Sequence, residues 1–343
     1  FLQNTKVNFI GARKVTYIVS GVLVLVGILG VNPHIMGKLN LGIDFSGGRN
    51  YIVRFAEPVN TQEVNAALDN VFMDAKTQAG DEETFALNVI TIGNANQVRI
   101  STNYRINDNS ETLDDEIEAL LFAGCQQFLP EGITLDEFKS TEINPEIGIM
   151  QSQKVGPAIA DDITQSAVWA VLAALVGIFL YVLVRFRNFA FSVGALTGLA
   201  HNTLIVLGAY ALLWKVMPFS MEIDQAFIAA ILTVIGYSIN DTVVIFDRVR
   251  EYTGLYPKRD RKQNINDALN HTLSRTFSTS MSTLVVLVAI FCFGGETIRG
   301  FVFALLIGVV VGTYSSLCVA TPLAFDIQEA MDRRKAKKAE LKK

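Results

Sequence analysis

Apolar segments without charged side chains divide this sequence, and they have the length of membrane-spanning helices. A helix needs about 20 apolar residues to cross a bilayer. Five segments meet this requirement, and a sixth does so if it continues past Asp241 to Phe246. The predicted spans are residues 15–32, 163–184, 189–214, 225–246, 276–295 and 300–325. The sequence therefore predicts a polytopic α-helical membrane protein with six transmembrane helices, one followed by a bundle of five (163–325).

The composition agrees with a membrane location. Half of the 343 residues are apolar, only 18% are charged, and the mean hydropathy is +0.35. A soluble chain of this length carries more charge and less apolar surface. These values exclude an ordinary cytosolic enzyme.

A polar domain, residues 33–162, separates the first predicted span from the other five. It contains 8 Lys and Arg against 21 Asp and Glu, a net charge of −13, so it must face water. Alternating apolar residues and turn signals predict strands at 50–55, 85–92, 97–104 and 135–143, and helical spacing predicts helices at 61–72 and 114–128. This βαββαβ order predicts an α+β domain of the ferredoxin-like type.

The distribution of basic residues predicts the orientation in the membrane. Nineteen of the 29 Lys and Arg lie in the N-terminus (1–14), in two connections between spans, and in the C-terminal tail (326–343). Six spans place these four segments on one side, and basic segments stay in the cytoplasm. We therefore expect both termini inside and the acidic domain outside. The first span lacks a cleavage site and is expected to be a retained anchor, and the absence of an initial Met fits a chain cut from a longer polypeptide or a missing start.

Asp241 is an acidic residue inside the fourth predicted span. A charge within a bilayer is costly, so such residues usually face the bundle interior and have a partner. The fourth and fifth spans form a hairpin, and residues equally far from its centre lie at the same depth. A centre at Pro257 and Lys258 brings Asp241 level with Arg275.

Two interpretations of this pair remain open. Asp241 and Arg275 form either a fixed ion pair that only holds two helices together, or a site where Asp241 takes up and releases a proton. Other polar residues within the predicted spans could extend such a path, although a histidine in a span can equally be a hydrogen-bonded packing residue. They are Ser238, Asn240, His201, Asn202 and Thr279.

Four segments resemble the SecF family, the membrane subunits of the SecDF accessory complex of the bacterial Sec translocase. They are GIDFSGG (42–48), IGYSINDTVVIFDRVRE (235–251), LSRTFSTSMSTLVVLVAIFCFGG (273–295) and IRGFVFALLIGVVVGTYSS (298–316). The family belongs to the resistance-nodulation-division superfamily, which shares the one-plus-five arrangement. In this family Asp241 and Arg275 match proton-path positions, and the resemblance implies a tight turn at Asp44, Gly47 and Gly48. Family members commonly have His-Asp where this chain has His201-Asn202, which puts an acidic relay there in doubt.

The resemblance implies a transport subunit of the bacterial cytoplasmic membrane that is not an enzyme. It would use the proton motive force to assist late export of unfolded preproteins, with protons as coupling ion and no cofactor. The implied partners are SecD, separate or fused, the SecYEG translocon, YajC, a YidC-type insertase, the preprotein and membrane lipids, but no nucleic acid. The alternatives are a scaffold that links translocon and insertase without transport, and a small-molecule or lipid exporter of the same superfamily.

Overall fold

The computed structural model describes residues 5–31, 39–79, 85–108, 110 and 112–341, excluding the side chains of residues 79, 296 and 297. Within this part of the chain, six helices are long and apolar enough to cross a membrane: Phe9–Val31, Pro157–Phe186, Phe189–Leu213, Gln225–Leu255, Arg261–Phe293 and Ile298–Glu340. Three predictions fall partly outside the described residues. These are the first four residues of the N-terminus, the boundary between the first span and the polar domain at 32–33, and the end of the tail at 342–343.

The elements follow one another in a simple order. The helices are α1 (Phe9–Val31), α2 (Ile43–Ser46), α3 (Thr61–Ala79), α4 (Leu113–Cys125), α5 (Leu135–Lys139), α6 (Pro157–Phe186), α7 (Phe189–Leu213), α8 (Gln225–Leu255), α9 (Arg261–Phe293), α10 (Glu296–Ser315) and α11 (Thr321–Glu340). The strands are β1 (Gly48–Arg54), β2 (Leu87–Ile92), β3 (Asn94–Thr102) and β4 (Gly148–Val155). A short 3-10 helix, Gln126–Phe128, follows α4, and a π-helical segment, Ser316–Ala320, joins α10 to α11.

We call residues 48–155 the sheet domain. Its described residues contain one antiparallel sheet with the strand order β2-β3-β1-β4. Side chains alternate between the two faces of each strand. Val53 of β1, Phe55 directly after β1 and Ile100 of β3 are buried on one face, where they pack with Leu68 of α3 and Ile117 of α4. The opposite face carries mainly polar side chains and lies toward the helical bundle.

The predicted strand at 135–143 is wrong. Residues Leu135–Lys139 form the short helix α5, because Thr134 and Glu137 make a reciprocal capping box at its start. Phe138 of α5 is fully buried against Phe122. The fourth strand is instead β4, whose polar residues 151–154 are exposed and hide its alternation.

The helices of the bundle extend beyond the apolar segments that predicted them. α9 begins at Arg261 rather than at residue 276, and α6 begins at Pro157 rather than at residue 163. The additional turns of α9 are polar, but Ile265, Ala268 and Leu269 on one side of it are buried. Hydropathy detects only the apolar part of such a helix. The helix continues through its polar end because side chains on one of its faces are still packed.

α7 and α8 lie at the centre of the bundle, and α6 lies at its edge. Twelve residues of α7 are buried, whereas only three of the 30 residues of α6 are. Glycines permit the closest contacts. A Cβ atom added to Gly312 of α10 would lie 3.2 Å from Ser238 Cβ of α8, and one added to Gly198 of α7 would lie 3.0 Å from Ala320 Cβ. Helices in lipid pack most closely through such small residues.

Candidate functional site

A chain of buried polar side chains crosses the bundle between α7, α8 and the π-helical segment. Asn202 Nδ2 donates a hydrogen bond of 2.8 Å to Ser238 Oγ, and both residues are almost fully buried. One turn further along α8, Thr242 Oγ1 lies 2.8 Å from Ser316 Oγ. We call these residues and His201 the inner polar network. A network of this kind inside a bilayer ties helices together and is a common feature of ion pathways.

The π-helical segment places Ser316 in this network. Such one-turn insertions leave backbone groups without their usual helical partner and are frequent at functional sites. Here Thr321 Oγ1 donates to the backbone carbonyl of Ser316 at 2.8 Å, and Ser316 Oγ donates to the carbonyl of Gly312 at 3.0 Å. The side chain of Ser316 is thereby directed toward α8, with no exposed surface of its own.

Asp241 lies beside Thr242 and is only 5% exposed. Among the described residues, its Oδ2 atom has no hydrogen-bond partner. Arg275 of α9 attracts this carboxylate electrostatically. A buried carboxylate with an unsatisfied oxygen is costly to keep ionised.

Arg275 lies in an open cleft between α8 and α9. α8 ends at Leu255 and α9 begins at Arg261, so the predicted hairpin centre at Pro257 and Lys258 lies within the connection. The equal depth of Asp241 and Arg275 stays a prediction. Its neighbours along the cleft are Val244, Asp247, Arg248, Glu251, His271 and Thr272.

Two of the predicted relay residues point away from the inner polar network. Asn240 is exposed on the outer side of α8, because adjacent residues of a helix face different directions. Thr279 is also exposed, and its hydroxyl donates to the backbone carbonyl of Arg275 in its own helix at 2.6 Å. Both lie on the surface that α8 and α9 present to the outside of the chain, so any role there requires a partner.

His201 and Asn202 are both buried, but they occupy different positions in the network. His201 Nδ1 lies 3.4 Å from Asn202 Oδ1, and its ring centre is 6.1 Å from that of Tyr314. Nε2 of His201 has no hydrogen-bond partner within the described part of the chain. Asn202 therefore bridges His201 to Ser238, and an amide at this position supplies hydrogen bonds without a second carboxylate.

The predicted turn at Asp44, Gly47 and Gly48 contacts the helix that carries Asp241. Gly47 and Gly48 have φ angles of +69° and +143°, which side chains disfavour, and they lead from α2 into β1. Asp44 Oδ2 accepts a hydrogen bond of 3.2 Å from the backbone N–H of Gln225, the first residue of α8. Asp224 caps the same helix end by accepting from the N–H of Phe227 at 2.8 Å.

Thr242 and Ser316 belong to the site, although neither was among the predicted residues. Thr242 follows Asp241 directly, and Ser316 is one of two adjacent serines in an otherwise apolar segment. Hydroxyl side chains in apolar segments are therefore the signal that could have located them. Their proximity depends on how α8 packs against α10, which the sequence alone does not give.

The fold and this site define a class: a multi-pass membrane protein with a buried carboxylate in its bundle and a sheet domain between its first and second long helices. Two family descriptions match the chain. The SecD/SecF C-terminal region of protein export membrane proteins matches residues 136–330, and the SecD/SecF GG motif matches residues 37–59.

Protein translocase subunits SecF are similar along nearly the whole chain. The subunit of Rhodothermus marinus is 37% identical over 95% of this chain and 94% of its own length. That of Thermodesulfovibrio yellowstonii is 35% identical over 94% of this chain and 95% of its own length. The chain belongs to the SecF family of protein translocase subunits. This assignment confirms the resemblance inferred from the four motifs, and it indicates a transport role rather than catalysis.

Two solved structures have a similar fold. SecDF of Thermus thermophilus, described as a translocon-associated membrane protein, is 28% identical, with a TM-score of 0.73, and covers 96% of this chain. SecDF in a super-membrane-facing form is 30% identical, with a TM-score of 0.60, over 99% of this chain. The present chain covers about 40% of each of those longer chains.

Proposed function

We propose that this chain couples proton movement across the bacterial cytoplasmic membrane to the late-stage export of unfolded preproteins, together with a SecD partner. The observation that carries the proposal is Asp241. Its carboxylate is buried in the bundle, one oxygen lacks a partner among the described residues, and Arg275 attracts it without a hydrogen bond. Protons are the coupling ion in this proposal, and no further cofactor is needed.

The energy available from the gradient suits such a site. One charge that crosses a membrane at 100 mV releases about 2.3 kcal/mol. Protonation removes the charge of Asp241 and with it the attraction to Arg275. A free-energy change of this size shifts an equilibrium between two helix arrangements by about 50-fold, which is enough to drive a conformational cycle.

The SecD partner would cover the exposed side of α8 and α9. This side carries Asn240, Thr233, Arg275, Ser278 and Ser282, all exposed in the isolated chain. Polar and charged side chains at this depth are unfavourable in lipid but favourable against another helix. The length of the SecDF chains, of which this chain covers about 40%, leaves room for such a partner.

In this proposal both termini are cytoplasmic and the sheet domain lies outside, as the basic residues predict. The strand order and the two helices on one face support a ferredoxin-like assignment for the domain. It would hold an emerging preprotein, with SecYEG, YajC and a YidC-type insertase as further partners. SecF names among the relatives favour this function over a small-molecule exporter or a scaffold.

The test compares Asp241→Asn with Asp267→Asn on the neighbouring helix α9. Asp267 pairs with Arg259 at 3.0 Å and is 43% exposed, so it controls for loss of an acidic residue from the α8–α9 hairpin. Proton-gradient-dependent export is measured in inverted vesicles that contain this chain and its SecD partner. We expect Asp241→Asn to abolish the gradient-dependent part and Asp267→Asn to retain it. If late-stage export is unchanged in Asp241→Asn vesicles while SecD is still bound, the proposed coupling is contradicted and the scaffold function is the remaining alternative.

A further inference from the structure

The polar face of the sheet domain contacts the bundle through a nearly buried ion pair. Arg99 Nη2 of β3 lies 2.7 Å from Glu222 Oε2 in the connection between α7 and α8. The two side chains are 17% and 7% exposed. Arg99 Nη2 also donates to Ser220 Oγ at 3.2 Å, and Asn88 Nδ2 of β2 donates to Glu222 Oε1 at 3.5 Å.

A second contact holds the same connection from the other side. The backbone N–H of Ile223 donates to the carbonyl of Asn40, and that of Gly42 donates to the carbonyl of Ile223, over 2.8 Å and 3.0 Å. Asp44 then accepts from Gln225 at the start of α8. The connection is therefore fixed between the sheet and the segment that leads into it.

α8 connects this contact to the proton site. It is unbroken from Gln225 to Leu255 and carries Asp241 in its middle. Sixteen residues separate Gln225 from Asp241, or about 24 Å of helix. Because a helix moves as a rod, a shift or rotation of α8 at Asp241 displaces Glu222, which lies three residues before the helix begins.

We propose that the Arg99–Glu222 ion pair is the joint through which α8 moves the sheet domain. The inference rests on the proposed function, because in that proposal the protonation of Asp241 is what makes α8 move. Arg99 and Glu222 are positioning residues here: they transmit movement and take no part in proton transfer.

Because of the groups around Glu222, loss of Arg99 and loss of Glu222 should differ in their cost. The groups that face it are Arg99 of β3, Asn88 of β2, and Ser220 and Asp224 of its own segment, with Lys215 in the adjoining cleft. Burial raises the pKa of Glu222, nearby Asp224 acts in the same direction, and Arg99 opposes both. Loss of Arg99 therefore leaves an uncompensated buried acid, whereas loss of the charge at Glu222 leaves an arginine with more access to water.

The experiment measures two quantities in the same vesicles, preprotein export and proton flux. The variants are Arg99→Gln, Glu222→Gln and the swapped pair Arg99→Glu with Glu222→Arg. Arg54→Gln is the control, because Arg54 lies on the same sheet and, among the residues that the structure describes, its side chain donates only to Gln97. We expect Arg99→Gln to lower export per molecule about tenfold while proton flux is retained. Glu222→Gln should lower it less, the swapped pair should restore it, and Arg54→Gln should not change it.

The outcomes separate this proposal from the function on which it rests. If Arg99→Gln loses export and proton flux in parallel, or if it exports normally, the proposal that the Arg99–Glu222 pair transmits the movement of α8 is overturned. If Arg99→Gln does not accumulate in the membrane, the swapped pair decides, and its failure to restore export overturns the proposal. Asp241→Asn is measured alongside. If it changes neither flux nor export, the proposed function fails, irrespective of Arg99.

Discussion

Asp114→Asn should destabilise the sheet domain, because Asp114 neutralises a buried arginine. Arg49 follows the Gly47-Gly48 turn and is 1% exposed. Its Nε lies 2.7 Å from Asp114 Oδ1, and its Nη1 donates to the carbonyl of Tyr104 at 3.4 Å. Nη2 of Arg49 has no partner within the described residues. The carboxylate is thus the main compensation for this charge.

The geometry sets the size of the effect. Removal of one partner from a fully buried ion pair costs about 3–5 kcal/mol. Asp114 is 48% exposed, so water can enter and replace part of the interaction. We expect a loss of about 2 kcal/mol, which is about a 30-fold rise in the equilibrium for local opening. Arg49→Met should cost less, because Asp114 keeps Lys154 at 3.3 Å and gains water.

Hydrogen–deuterium exchange of the full chain in detergent measures this opening. The slowest amides of β1 and α4 should exchange about 30-fold faster in Asp114→Asn. Asp115→Asn is the control, since Asp115 is 74% exposed and pairs with Lys139 on the surface. A control that speeds exchange as much as Asp114→Asn refutes the reasoning, as does a larger effect of Arg49→Met than of Asp114→Asn.

Two further outcomes follow from the structure. Since burial raises the pKa of Glu222, protonation of Glu222 favours the docked arrangement once Arg99 is lost. In the proposed orientation the sheet domain faces the lumen of the inverted vesicles, so lowering the luminal pH from about 8 to about 5 should partly restore export by Arg99→Gln relative to the parent at the same pH. Weaker relative export at low luminal pH would contradict this sign. Gly312→Val should lower the free energy of unfolding by about 1–3 kcal/mol, because a Cβ at this position would lie 3.2 Å from Ser238 Cβ and 3.5 Å from Asn202 Nδ2. Gly177→Val is the control, since a Cβ there would meet nothing within 4 Å. Equal melting temperatures of the two variants would contradict the close packing of Gly312.

Some features of the fold could be predicted from local pattern because their cause is local. Apolar length predicted the long helices, and the predicted hairpin centre at Pro257 and Lys258 lies in the connection between α8 and α9. β4 was missed because residues 151–154 are polar and exposed, and the start of α9 because its first turns lack hydropathy. Hydropathy and alternation therefore miss a helix or strand whose residues are mostly polar and that is stabilised by packing along only one of its faces.

The contacts of the site depend instead on how distant elements are placed. Asn202 meets Ser238 across 36 residues, and Arg99 meets Glu222 across 123. Neither pair has a sequence signature, because no local pattern links residues so far apart in the chain. Side-chain direction was also decisive. Asn240 directly precedes Asp241 and Thr279 lies one turn after Arg275, yet both side chains face outward. Helical position predicts such directions only once the packed face of the helix is known.

In the proposed cycle, the inner polar network restrains the movement of α8. Asn202–Ser238 ties α8 to α7, and Thr242–Ser316 ties it to the π-helical segment. A hydrogen bond between membrane helices contributes about 0.6 kcal/mol on average and at most about 1.7 kcal/mol. Breaking both therefore requires less than about 3.4 kcal/mol, close to the 2.3 kcal/mol that one proton releases at about 100 mV. The combined change Asn202→Ala and Ser316→Ala should therefore let export proceed at a smaller gradient than in the parent. An unchanged or larger threshold gradient, measured in the same vesicles, would mean that these bonds do not restrain the moving helix.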